Sequence, residues 1–113
     1  VMSNNGMSPS IVSQLLVNLR MPATISDGER KLLRRMIAEE DSNSGEQLTR
    51  FVPGGWMIDM DDVSPQLCFR LIRHSFISMD GEESGGVSYW RVNDIGRMAA
   101  EGKSLAEIEE AVR

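Results

Sequence analysis

Asp59, Asp61 and Asp62, within the stretch DMDD, are the densest set of potential hard-cation ligands in the chain. Calcium and magnesium take several oxygen donors, and three carboxylates in four residues supply the right atoms. The spacing of a calcium-binding loop is missing, because the sixth position counted from Asp59 is Ser64 and the twelfth is Arg70. These acids therefore read as caps and turn residues, with no metal expected. Cys68 and His74 are the only cysteine and histidine, and one of each is too few to hold zinc. Cys68 lies in an apolar stripe and reads as a core thiol, which leaves no disulfide within the chain and suits a reducing compartment such as the cytoplasm. His74 closes a helical run and reads as a cation complementing the helix dipole. No glycine-rich phosphate loop, nucleophile-base-acid set or catalytic carboxylate pair is present. The expectation is a non-enzymatic protein with no catalytic residues and no cofactor.

Binding chemistry is better represented. Arg70 and Arg73 stand three residues apart on one predicted helix, close enough to act together, with Gln66 and Phe69 on its exterior. Arg91 is a further candidate. Of the twelve cationic side chains ten are arginine, which favours planar, bidentate contacts to phosphate or carboxylate. A second basic group, Arg30, Lys31, Arg34 and Arg35, shares a helix face, where pairing with nearby acids in solvent is the ordinary expectation. Against nucleic-acid binding stand the net charge of −5 and an acidic loop containing Asp80, Glu82 and Glu83, with no Lys or Arg between Arg73 and Arg91.

These residues must be positioned by elements whose boundaries are well marked. Ser8-Pro9 caps a helix with Ile11, Val12, Leu15, Leu16 and Leu19 on one stripe, ending before Pro22. Its wide apolar stripe suits pairing with a second copy, so a homodimer through this helix is a further expectation. SDGE at 26–29 is a capping box opening a second helix, with Leu32, Leu33, Met36 and Ile37 inward. Residues 41–47 read as loop, and WMI at 56–58 as a short strand. Ser64-Pro65 opens a third helix with Leu67, Cys68, Leu71 and Ile72 as its buried stripe. FISMD and VSYWRV read as a β-hairpin around GEESGG, with Ile77, Trp90 and Val92 inward and Tyr89 and Arg91 outward. Asn93 caps the next helix, Gly102 stops it, and SLAE at 104–107 is a second capping box. At 113 residues, 41% apolar and 26% charged, the composition fits one soluble domain over 8–113, behind a disordered or extraneous tail at 1–7. Met2 or Met7 is the expected natural start. No apolar run approaches the length needed to cross a membrane.

The run from Trp56 to Ala100, 45 of the 113 residues, resembles the second half of a bacterial or phage winged helix-turn-helix domain. In that family a recognition helix ends in a pattern such as L-x-x-R-G-L-I and leads directly into the wing hairpin; here the residues are LIRHSFI at 71–77. The second wing strand ends in a pattern such as Y-x-L-T-x-x-G-R, opening the next helix; here they are YWRVNDIGR at 89–97. Asn93 stands at the capping threonine and Gly96-Arg97 matches the closing pair. The family's glycine after the recognition helix is Ser75 here, at a position where the chain often turns left-handed. The helix that precedes the recognition helix is degenerate: between Trp56 and Ser64 only MIDMDDV remains, enough for a strand and about one turn.

The resemblance implies a mostly α fold with a small antiparallel β-hairpin, winged helix-turn-helix-like. It further implies a small regulatory protein that contacts duplex DNA through the third helix, using Gln66, Phe69, Arg70, Arg73 and Arg91. The alternative is a protein-protein interaction module on the same scaffold, in which Asp80, Glu82 and Glu83 meet a basic partner or imitate nucleic acid.

Overall fold

The computed structural model describes residues 24–113. The expected helix over 8–21, the dimer contact through it and the tail at 1–7 lie outside those residues. The described elements are α1 (Asp27–Glu40), β1 (Leu48–Phe51), β2 (Trp56–Ile58), β3 (Asp61–Val63), α2 (Pro65–Arg73), β4 (Ile77–Met79), β5 (Val87–Val92), α3 (Asp94–Ala100) and α4 (Leu105–Ala111).

Helix starts follow their capping residues. Both capping boxes form: Ser26 with Glu29 at α1, and Ser104 with Glu107 at α4. Ser64 caps α2 with Pro65 at its first position, and Asn93 caps α3 by accepting from the Gly96 N–H. Gly102 follows α3 at φ 107°, the left-handed stop that glycine adopts without penalty. Leu32, Leu33 and Met36 of α1 and Cys68 and Leu71 of α2 are buried, as their helical spacing requires.

The sheet corrects the expectation of a mostly α fold with a small hairpin. Five antiparallel strands run in the order β3-β2-β1-β5-β4, which makes the fold α+β. The expected β4–β5 hairpin forms, with Ile77 opposite Val92 and Met79 opposite Trp90. β1 was hidden because four residues with a central arginine carry too little alternation to stand out from a loop. β3 was hidden because Asp61 and Asp62 are poor strand formers. As an edge strand, β3 tolerates charge on its exposed side chains. β2 and β3 are joined by Asp59 and Met60, both at positive φ (45° and 71°), the backbone of a tight two-residue hairpin. That hairpin stands where the winged-helix resemblance implies the remnant of a helix.

Alternation then sorts the sheet into two faces. Leu48, Trp56, Ile58, Ile77, Trp90 and Val92 are buried in one core with the helices. Tyr89, Arg91 and Ser78 on the opposite parity are exposed. α2 leaves the core through a left-handed Ser75 (φ 63°). The Phe76 N–H donates to the Leu71 carbonyl and the Ser75 N–H to that of Ile72, the two bonds of a Schellman closure.

Candidate interaction surface

Most arginines are engaged within the fold. Arg30 donates to the carbonyls of Ala99 and Lys103, and Arg34 to that of Ala100 at 2.8 Å, so α1 satisfies the orphan carbonyls at the end of α3. Arg35 bonds Asp61 at 2.6 Å and reaches the Ile58 carbonyl, tying the β2–β3 hairpin to α1. The expected pairing of Arg30 and Arg34 with nearby acids in solvent is replaced by these backbone contacts. Asp61 of the DMDD stretch serves this hairpin tie, while Asp59 forms the turn. Among the described residues no three potential ligands gather at a cation-sized site.

Arg70 also points partly inward. It lies 3.3 Å from Glu29, whose side chain is fully buried and also accepts from the Ser26 N–H at 2.7 Å. Burial acts to raise the Glu29 pKa, but the Ser26 N–H and the Arg70 guanidinium outweigh it and hold the carboxyl below its ordinary value. His74 is buried beside them, stacked on Phe76 with ring centroids 4.8 Å apart. Burial pushes its pKa below the ordinary value despite the neighbouring Glu29 charge, so the ring is neutral near pH 7. His74 does close α2, but the expectation that it serves there as a cation is thereby corrected. Its Nε2 lies 3.4 Å from Glu29 Oε2, and neither atom has a hydrogen-bond partner among the described residues. Cys68 is a core thiol whose pKa burial lifts to about 12, which suppresses the nucleophilic thiolate at neutral pH.

Of the residues assigned to binding, Gln66, Phe69 and Arg73 lie exposed on α2, and Arg91 is exposed on β5. Asp80, Glu82 and Glu83 are exposed in the β4–β5 loop, where Asp80 accepts from Gln47 at 2.9 Å. The residues that sequence reasoning missed surround Phe69. Its ring meets Trp56 edge-on at 5.8 Å, and Trp56 in turn packs against Trp90 at 5.6 Å. The Arg50 guanidinium lies 5.3 Å from the centroids of both Trp56 and Phe69, a double cation–π contact.

Beside this stack the β1–β2 turn leaves Phe51 40%, Val52 49% and Phe69 42% exposed. Two adjoining recesses share Phe51, Gly54, Gly55, Trp56 and Pro65. The larger, of about 540 Å³, adds Met57, Asp62 and Val63, and the smaller, of about 160 Å³, adds Arg50 and Phe69. The base of the β4–β5 loop lies against the same turn, since the Val52 N–H donates to the Gly86 carbonyl at 2.8 Å and Phe51 pairs with Val87. The only signal in the sequence was RFVPGGW at 50–56, an arginine and two aromatics around a turn.

Compared with protein-family models, curated proteins and solved structures, the chain matches none. No helix among the described residues is long and apolar enough to cross a membrane.

Proposed function

We propose that this chain is a protein-protein interaction module on a winged-helix-like scaffold, whose aromatic recess beside α2 and acidic wing receive a basic, apolar segment of a partner. The observation that carries this reading is the grouping of exposed Phe51, Val52 and Phe69 around a recess tied, through the Val52–Gly86 hydrogen bond, to the base of the hairpin whose loop carries Glu82 and Glu83. Exposed aromatics over a packed floor are the usual anchors of interfaces. Two facts weigh against phosphate binding as the main role: Arg30, Arg34, Arg35 and Arg70 are engaged internally, and a β-hairpin replaces the first helix of the helix-turn-helix. The scaffold assignment draws on α2 entering the wing through a left-handed Ser75 and on Asn93 capping the helix after it.

The test uses arrayed peptides rich in Lys and Arg, with and without an aromatic or leucine anchor. Binding confined to anchored basic peptides, lost with Phe69→Ala and slowed with Glu82→Gln/Glu83→Gln, is the expected result. Equal binding by Phe69→Ala would sink the reading. Duplex DNA remains a second reading, favoured by Gln66, Phe69 and Arg73 lying together on the exposed side of α2. It requires salt-dependent anisotropy with duplex DNA that weakens with Arg73→Ala.

A further inference from the structure

Arg50 presents a feature that a basic partner alone leaves unused. Its guanidinium is held against two aromatic rings, lines the smaller recess, and has no carboxylate partner among the described residues. Every close contact found among those residues between a basic side chain and a carboxylate belongs to another residue than Arg50. A guanidinium held by cation–π contacts and paired with no carboxylate has N–H donors to offer a planar anion, and the preferred match is a bidentate carboxylate. The surroundings limit which carboxylate fits. Phe51, Val52, Pro53 and Phe69 make the walls apolar, so the anion must sit directly beside an apolar group. The recess is joined to the base of the hairpin by the Val52–Gly86 hydrogen bond, and the loop above that base carries exposed Glu82 and Glu83, which favour positive charge further along the same ligand.

We propose that the recess receives the C-terminal end of a partner polypeptide, with its terminal carboxylate on Arg50, its last, apolar side chain between Phe51 and Phe69, and basic residues upstream facing the wing. The chain end is the source that joins a carboxylate, an apolar side chain and cations in one ligand. Capture of a C-terminal carboxylate is an established mode of peptide recognition. This assignment rests on the interaction reading above and narrows it.

The experiment uses the full chain and the peptide Lys-Lys-Gly-Phe with a neutral dye on its N-terminus, as the free acid and as the C-terminal amide. The free acid binds at least about tenfold more tightly than the amide, the ratio expected for a charge-assisted hydrogen-bonded pair. Arg50→Gln erases that ratio while leaving amide binding in place. Gly55→Leu weakens both peptides, because Gly55 lines both recesses; a Cβ there meets nothing within 4 Å, so the fold tolerates the change. Near-ultraviolet circular dichroism verifies that both variants keep their tertiary packing. Equal binding of acid and amide, both lost in Gly55→Leu, overturns the carboxylate assignment and leaves the interaction reading standing. Binding of neither peptide overturns the assignment as well, and the arrayed peptides with Phe69→Ala judge the broader reading separately. If unlabelled phenylacetate displaces the free acid as effectively as unlabelled peptide does, the ligand is a small acid and the chain-end assignment falls.

Discussion

Glu29, Arg70 and His74 join the start of α1 to the end of α2 through ionisable groups, and the sign of their titrations can be worked out. The folded-state pKa of His74 lies below the unfolded value because burial penalises the imidazolium. The unfolded chain therefore binds the proton more readily, and stability falls as the pH drops from about 6.5. Glu29 is held below its ordinary value, so its contribution is present above about 4.5 and lost as the pH falls further. Glu40, raised by burial, works in the opposite sense. The expected outcome is a urea midpoint that declines between about pH 7 and about pH 5, with His74→Phe flattening that decline and preserving the stack on Phe76. An unchanged slope in His74→Phe would show that another group governs the acid response. The capping role of Glu29 was legible in SDGE. Its burial against Arg70 was not, because 41 residues separate the pair and no local pattern encodes their meeting.

Helix boundaries were the most legible elements, since caps, Pro65 and Gly102 act within a few residues of sequence. Strands β1 and β3 were not legible, because short strands are fixed by their neighbours in the sheet. The junctions around α2 and α3 show how local and long-range constraints meet. Ser75 takes a left-handed conformation that costs a side chain about 1 kcal/mol or more, while its carbonyl accepts from Asn93. Ser75→Gly is therefore expected to stabilise the protein by roughly 0.5–1 kcal/mol, since the backbone bonds are kept. Gly96 behaves oppositely. A Cβ there would overlap the Phe76 carbonyl oxygen and fall 2.7 Å from Val92 Cγ1. Gly96→Ala is expected to cost about 1–3 kcal/mol or more by forcing α3 away from the sheet. Paired urea melts read both changes, and a neutral result at Gly96 would contradict the close approach of α3.

Across the described residues, the cations divide into those that hold elements together and those that face solvent. A basic helix face in a sequence suggests a binding surface, yet Arg30 and Arg34 cap α3 from α1, and Arg35 holds the β2–β3 hairpin. The sequence shows such a face but not what lies opposite it, which is why pairing of Arg30 and Arg34 with acids in solvent was expected where backbone contacts to α3 form, while the exposure of Gln66, Phe69, Arg73 and Arg91 was legible. The division has a measurable consequence. Hydrogen bonds from a charged donor to carbonyls contribute about 1.5–3 kcal/mol when buried, and partial exposure of Arg30 reduces this to about 1 kcal/mol. Arg30→Ala and Arg34→Ala should each lower the urea midpoint. Combined, they should act non-additively, because both serve one helix end. Arg73→Ala and Arg91→Ala, which remove exposed side chains, should stay within about 0.5 kcal/mol of the parent. If all four changes proved equally harmless to stability, α1 would not be clamped to α3. The basic face would then be available to phosphates, and the balance would return to the nucleic-acid reading.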